Sequence, residues 1–129
     1  MEGPMSLIVT VESDDLDALM MADELSGGDD VVRFSTLWDA LAFMVESPPA
    51  VIVIDTNAPE LAGVDVLGII FDTIGQVPIV VCTHDGTEVA AQRSLEVGAI
   101  AHLSKYTLGS HVLANTVHSL IHQRVRIAA

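Results

Sequence analysis

Val51-Ile52-Val53-Ile54-Asp55, followed by Thr56-Asn57-Ala58-Pro59-Glu60-Leu61-Ala62-Gly63, is the stretch that decides the fold. Four consecutive β-branched aliphatics after Pro48-Pro49 predict a strand buried on both faces, as in a parallel sheet covered by helices on each side. Asp55 then stands at the carboxyl end of that strand. In open parallel α/β sheets this edge gathers ligands and chemistry, because the connecting loops converge there. Pro59 and Gly63 mark a turn before the next helix.

Outward from this strand the chain alternates strand and helix with short connections. Ser6–Val11 predicts strand one, closed by Glu12-Ser13-Asp14-Asp15 with N-cap chemistry for a helix to Leu25, whose apolar residues are Leu16, Leu19, Met20 and Met21. Val31–Phe34 predicts strand two. Ser35-Thr36 caps a helix carrying Leu37, Leu41, Met44 and Val45, and Pro48-Pro49 stops it. After Asp55, a helix over Val64–Ile74 leads to strand four, Val77–Cys82. Helix four is expected over Thr87–Val97 with Gly98 as its stop, strand five over Ala99–Ser104, and the last helix over Leu108–Arg124. The expected architecture is α/β, a (βα)5 doubly wound fold with a parallel five-stranded sheet. Residues 1–5 are expected to be a disordered leader or cloning remnant, 6–124 the folded domain, and 125–129 a tail too short for a further domain.

Composition narrows the function classes. The 129 residues include 18 acidic and five basic ones, a net charge of −13 that repels phosphate backbones, so nucleic acid is not an expected partner. Half the residues are hydrophobic. No apolar run approaches the roughly 20 residues that span a bilayer, so no membrane partner is expected and the location is expected to be cytoplasmic. Cys82, the one cysteine, cannot form an internal disulfide and sits in an apolar strand, where a packed thiol is expected.

The strand ends bring Glu12, Asp55, Thr83 and Lys105 to one edge of the sheet. Two carboxylates, a hydroxyl and an ammonium suit phosphoryl transfer to a carboxylate, which needs a nucleophile, a hard cation and donors for the charge on the phosphoryl oxygens. With Asp55, Pro59, Gly63, Thr83 and Lys105 in this spacing, the chain resembles the receiver domains of bacterial two-component response regulators, a flavodoxin-like, CheY-like fold, over roughly residues 6–124. The resemblance implies that Asp55 is the phosphoacceptor, that Thr83 and Lys105 bind phosphoryl oxygens, and that Glu12, Asp55 and the backbone carbonyl of Asn57 hold Mg²⁺. It implies a phosphoprotein rather than a turnover enzyme. The implied partners are a histidine kinase or phosphotransfer protein and a downstream protein target met through helix four, strand five and helix five; a homodimer is also compatible.

Four positions depart from the family pattern. The adjacent acid pair matches Val11-Glu12, which leaves one carboxylate, so Mg²⁺ is expected to bind weakly and an acid at Val11 to strengthen it. His84 stands where a small residue usually follows the hydroxyl and is expected to narrow access to Asp55. His102 takes the aromatic switch position. Tyr106 replaces the proline after the lysine, so the peptide is expected to be trans, because a cis non-proline bond costs about 3–4 kcal/mol, with Lys105 redirected accordingly. These changes keep open a pseudo-receiver that docks to proteins without phosphorylation.

Other site chemistries fit less well. A haloacid-dehalogenase-type phosphatase needs a second aspartate where Asn57 stands. A flavodoxin-like cofactor site wants a glycine- or hydroxyl-rich loop after strand one, where only Ser13 is available. His111, His118 and His122 are expected along one side of the last helix, and the His118/His122 pair has metal-binding spacing without an evident third ligand.

Overall fold

The computed structural model describes residues 5–128, with side chains as far as Gln123, so the expected leader is outside it apart from Met5, and so is Ala129. In chain order the elements are β1 (Leu7–Val11), α1 (Asp15–Leu25), β2 (Asp30–Phe34), α2 (Leu37–Glu46), β3 (Val51–Ile54), α3 (Val66–Ile74), β4 (Ile79–Thr83), α4 (Glu88–Glu96), β5 (Ala101–Ser104) and α5 (Val112–Ala128). Single 3₁₀ turns at Pro59–Leu61 and Lys105–Thr107 follow β3 and β5.

All strand pairings are parallel, in the order β2-β1-β3-β4-β5. The chain builds outward to β2, crosses back over β1 to β3, and proceeds the other way to β5. The winding therefore reverses between β1 and β3, which leaves a crevice beyond their carboxyl ends. Val11 pairs with Ile54, Ile54 with Val81, and Thr83 with Ser104, so the residues following each strand end share one edge.

Alternation across the pleat divides the core into two layers. Val9, Val11, Ile52, Ile54, Ile79 and Val81 pack beneath α2 and α3. Ile8, Val51, Val53, Val80 and Cys82 pack beneath α1 and α5, against Met21, Leu25, Leu113, Val117 and Ile121. With both faces covered, β3 is buried at every position, as the uninterrupted apolar run requires.

Several expected details differ. In α1 the buried residues are Ala18, Met21 and Leu25, while Leu16, Leu19 and Met20 face outward. That helix carries apolar residues on both sides, so periodicity alone does not choose the packed one. Val45 of α2 is likewise exposed. α5 starts at Val112, because Gly109 and His111 both adopt positive φ (93° and 68°) and break the helix that Leu108 would otherwise begin. His111 therefore precedes the helix, and the backbone of α5 continues past Arg124 to Ala128. α4 has no buried residue. At its carboxyl end Gly98 has φ +113°, and a Cβ there would lie 2.7 Å from the Phe71 ring.

Candidate functional site

Lys105 is the centre of the site. It follows β5 directly, and Ser104 caps the turn it begins by accepting the Tyr106 N–H at 3.1 Å. Its ammonium reaches back across the sheet edge to Asp55 Oδ2 at 2.7 Å, Glu12 Oε1 at 2.7 Å and Asp17 Oδ2 at 2.9 Å. The described residues contain no cis peptide bond, so Lys105–Tyr106 is trans as expected, yet the lysine is not redirected away from Asp55. The four side chains Glu12, Asp55, Thr83 and Lys105 are all buried polar groups at this edge, as the sequence placed them.

Asn57 supports two of them. Its backbone N–H donates to Asp55 Oδ1 at 2.9 Å, and its side-chain amide donates to Thr83 Oγ1 at 2.9 Å. Asp55 thus has one oxygen on the Asn57 amide and the other on the ammonium, which orients the carboxylate in the crevice. Thr83 is the last residue of β4 rather than the first of its loop.

The β1–α1 connection is held by a run of hydrogen bonds that starts at Glu12. Glu12 Oε2 accepts the Asp14 N–H at 3.0 Å, and Asp14 Oδ1 accepts the Asp17 N–H at 2.9 Å to cap α1. From the end of β2, Arg33 donates through Nε and Nη2 to the Glu12 carbonyl at 3.0 and 2.7 Å and through Nη2 to Asp15 at 3.0 Å. Asp17 is carried over the strand end by this chain of contacts. Sequence reasoning missed both Asp17 and Arg33. An acid in a helix's first turn is already explained by the helix dipole, so Asp17 gave no separate signal.

Electrostatically the cluster is strongly coupled. Burial pushes the Glu12 carboxyl above the ordinary carboxylate range, against the opposing pull of Lys105 and the Asp14 amide. Burial also works to lower the Lys105 pKa, but its contacts with the carboxylates of Asp55, Glu12 and Asp17 outweigh that and hold it above the ordinary lysine value. Cys82, beneath the site, is pushed up to about 12 chiefly by burial and remains a thiol, as expected of a packed cysteine.

His84 and Tyr106 lie at the mouth. Their ring centroids are 5.2 Å apart, and His84 Nε2 stands 3.5 Å from Asp17 Oδ2. His102 occupies a different place: its Nδ1 meets Ser94 Oγ at 2.8 Å and its Nε2 meets the Asp85 carbonyl at 2.7 Å. It ties β5 to α4 and to the β4–α4 loop. The neutral tautomer with the proton on Nε2 satisfies both contacts, donating to Asp85 and accepting from Ser94.

Val11 does not belong to the site. Its side chain is buried among α2 and α3 residues, so an acid there would enter the core instead of the crevice. The exposed neighbour of Glu12 is Ser13. The remaining donors nevertheless suit a hard cation. Mg²⁺ takes one or two carboxylates and keeps several waters, and Glu12 Oε1, although ion-paired with Lys105, has no aligned hydrogen bond. Among the described residues no three Asp, Glu, His or Cys side chains are arranged to enclose a metal, so a cation here depends on main-chain and water oxygens, and the His118/His122 spacing gains no third ligand. Among those residues also, no helix is long and apolar enough to cross a membrane.

Residues 8–117 match the family model of the response regulator receiver domain. Among solved structures the chain is similar to the signal receiver domain of a protein assigned as a Luxo repressor in Vibrio parahaemolyticus, at 22% identity and TM-score 0.83 over 97% of this chain and 95% of that one. It is also similar to the chemotaxis protein CheY4 of Vibrio cholerae, at 22% identity and TM-score 0.78 over 91% and 99% of the two chains. The Mn(2+)-bound form of response regulator Rcp1 matches at 24% identity and TM-score 0.68 over 89% and 91%. At these identities the likeness is one of fold. A comparison with curated proteins finds no match.

Proposed function

The chain belongs to the response regulator receiver domain family of two-component signalling, and from that premise we propose that it accepts a phosphoryl group on Asp55 from a histidine kinase or a phosphotransfer protein. One observation carries the reading: Asp55 is held between the Asn57 N–H and the Lys105 ammonium at the switch point of the sheet. Its carboxylate attacks phosphorus, forming an acyl phosphate as the donor's P–N bond breaks, and the donor imidazole leaves with the bonding pair. Lys105 and the Thr83 hydroxyl are the donors for the transferred oxygens. Glu12, Asp55 and the Asn57 carbonyl would hold Mg²⁺, which supplies charge neutralisation when bound.

The readout we infer is contact with a downstream protein. Val89, Leu95 and Val97 in and after α4, Ile100 before β5, and Tyr106 and Val112 beyond it are exposed apolar residues on that side. The second reading, a phosphorylation-independent docking module, is favoured by one fact alone: three carboxylates already engage Lys105.

Incubation with acetyl phosphate and millimolar-scale Mg²⁺ separates the two. The expected result is the addition of one phosphoryl mass, abolished by Asp55→Asn and much reduced by Glu12→Ala. No uptake by intact protein from acetyl phosphate or from a panel of histidine kinases would leave the docking module in its place.

A further inference from the structure

Lys105 is the only lysine and Tyr106 the only tyrosine in the sequence, and two substitutions at the site mouth, His84 and Tyr106, touch one another. They come from different elements, the β4–α4 loop and the turn after β5. Asp17 joins them from α1: a single atom, Oδ2, faces both His84 Nε2 at 3.5 Å and Lys105 Nζ at 2.9 Å. A continuous set of contacts thus runs across the mouth from α1 to β4 to β5 and down to the ammonium.

An ammonium has three protons to donate and no more. Here Nζ donates to Asp17 and Asp55 and stands 2.7 Å from Glu12 Oε1 in an ion pair, so three carboxylates crowd the ammonium, and an incoming phosphoryl anion is repelled until one of them gives way. Glu12 is 1% exposed at its side chain and Asp55 10%, while Asp17 is 17% exposed. Asp17 is the outermost of the three, and water can replace its contact most readily. Releasing Asp17 from Lys105 also frees the atom that faces His84.

We propose that Asp17, His84 and Tyr106 form a strap over Asp55 that restrains phosphoryl donors, with Asp17 as the positioning residue that links opening of the strap to release of Lys105. This inference rests on Asp55 being the acceptor and concerns which donors reach it. A small donor brings little binding energy with which to displace the strap. A protein donor docking at this edge can displace it through contacts remote from the transferred group.

The test measures uptake from acetyl phosphate and phosphoramidate in the full chain. Asp17→Ala and His84→Ala should each raise the uptake rate on the order of tenfold, the rate equivalent of one charged hydrogen bond. The double variant should be no faster than the faster single, because both break one link. Asp17→Glu should return the rate toward that of the unmodified chain. Multiplying effects would show that Asp17 acts only through its charge on the approaching anion and would overturn the strap, as would unchanged single variants.

A second measurement is independent of phosphorylation. Because the lysine and tyrosine are unique, the NMR signals of the Lys105 ammonium and of the Tyr106 ring are assignable by residue type alone. Asp17→Ala should speed ammonium proton exchange and weaken the His84–Tyr106 ring contact. Both unchanged would overturn the coupling, whereas absence of uptake in the unmodified chain and in every variant, with both NMR changes present, would leave the contact network standing and sink the acceptor reading.

Discussion

Lys105 and Asp55, 50 residues apart in the chain, meet at 2.7 Å through Nζ and Oδ2 without help from a proline after the lysine. The contact survives that substitution because Lys105 is fixed from both ends. The Ser104-capped turn sets its backbone, and three carboxylates set its head group. Like charges gathered this closely repel unless a cation sits among them, so the ammonium is a structural necessity of the unmodified site.

Lys105→Met should therefore destabilise the fold at neutral pH by about 3–5 kcal/mol, the cost of leaving buried charges unpaired. The loss should shrink on mild acidification, where Glu12, already raised by burial, takes up a proton. Urea unfolding at neutral and mildly acidic pH measures both. An equal loss at the two values would mean that the lysine's packing, not its charge, is what matters.

The same group sets the alkaline limit. The folded-state pKa of Lys105 lies above its ordinary 10.5, so its contribution is fully present below that value and is lost as pH rises through the higher folded value. The stability difference between the unmodified chain and Lys105→Met should be flat across the neutral range up to about pH 10 and should narrow beyond 10.5. A difference that grows with alkalinity would contradict this sign.

Cation affinity should respond to Ser13 and not to Val11. Val11 is buried under α2 and α3, so Val11→Asp forfeits about 1.5–3 kcal/mol of apolar burial and adds the desolvation of a carboxylate. Ser13→Asp places its charge on the exposed neighbour of Glu12. Calorimetric titration with Mg²⁺ should show tighter binding for Ser13→Asp, and a lower unfolding midpoint for Val11→Asp. Tighter binding by a fully stable Val11→Asp would require that strand end to face the crevice.

His102 should govern the mobility of α4. That helix buries none of its residues, and the Ser94–His102–Asp85 contacts are its polar attachment to β5 and the preceding loop. His102→Leu removes two hydrogen bonds worth about 0.5–1.5 kcal/mol each. Amide exchange should quicken through α4 while β1 and β3 keep their protection. Uniform exchange changes, or none, would show that the clamp does not hold the helix.

Most of the sheet was legible in the sequence because a strand covered on both faces must be apolar without interruption, as Val51–Ile54 and Ile79–Cys82 are. The strand ends then located Glu12, Asp55, Thr83 and Lys105. Side-chain direction was harder to read. Val11 and Glu12 are adjacent, yet the pleat sends one into the core and the other into the crevice, so pairing them by position misassigned Val11. The packed face of α1 was obscured by Leu16, Leu19 and Met20 on its outer side. Asp17 and the His84–Tyr106 contact depend on how three separate elements converge, which no local pattern encodes.

The reversal of winding between β1 and β3 also bears on how the chain reaches this state. No two of Glu12, Asp55 and Lys105 are sequence neighbours, and their strands are joined only through completed parallel crossovers, whose closure entropy must be met before any of their contacts form. A folding intermediate holding β1 and β3 but lacking β5 would juxtapose Glu12 and Asp55 with no ammonium between them. Docking of β5 therefore discharges an electrostatic penalty that the earlier strands create, which makes arrival of the last strand a cooperative step in folding. In refolding experiments, an Asp55→Asn chain should pair β1 with β3 more readily but dock β5 more slowly than the unmodified one, and equal rates would show that the carboxylates meet only after the lysine is in place.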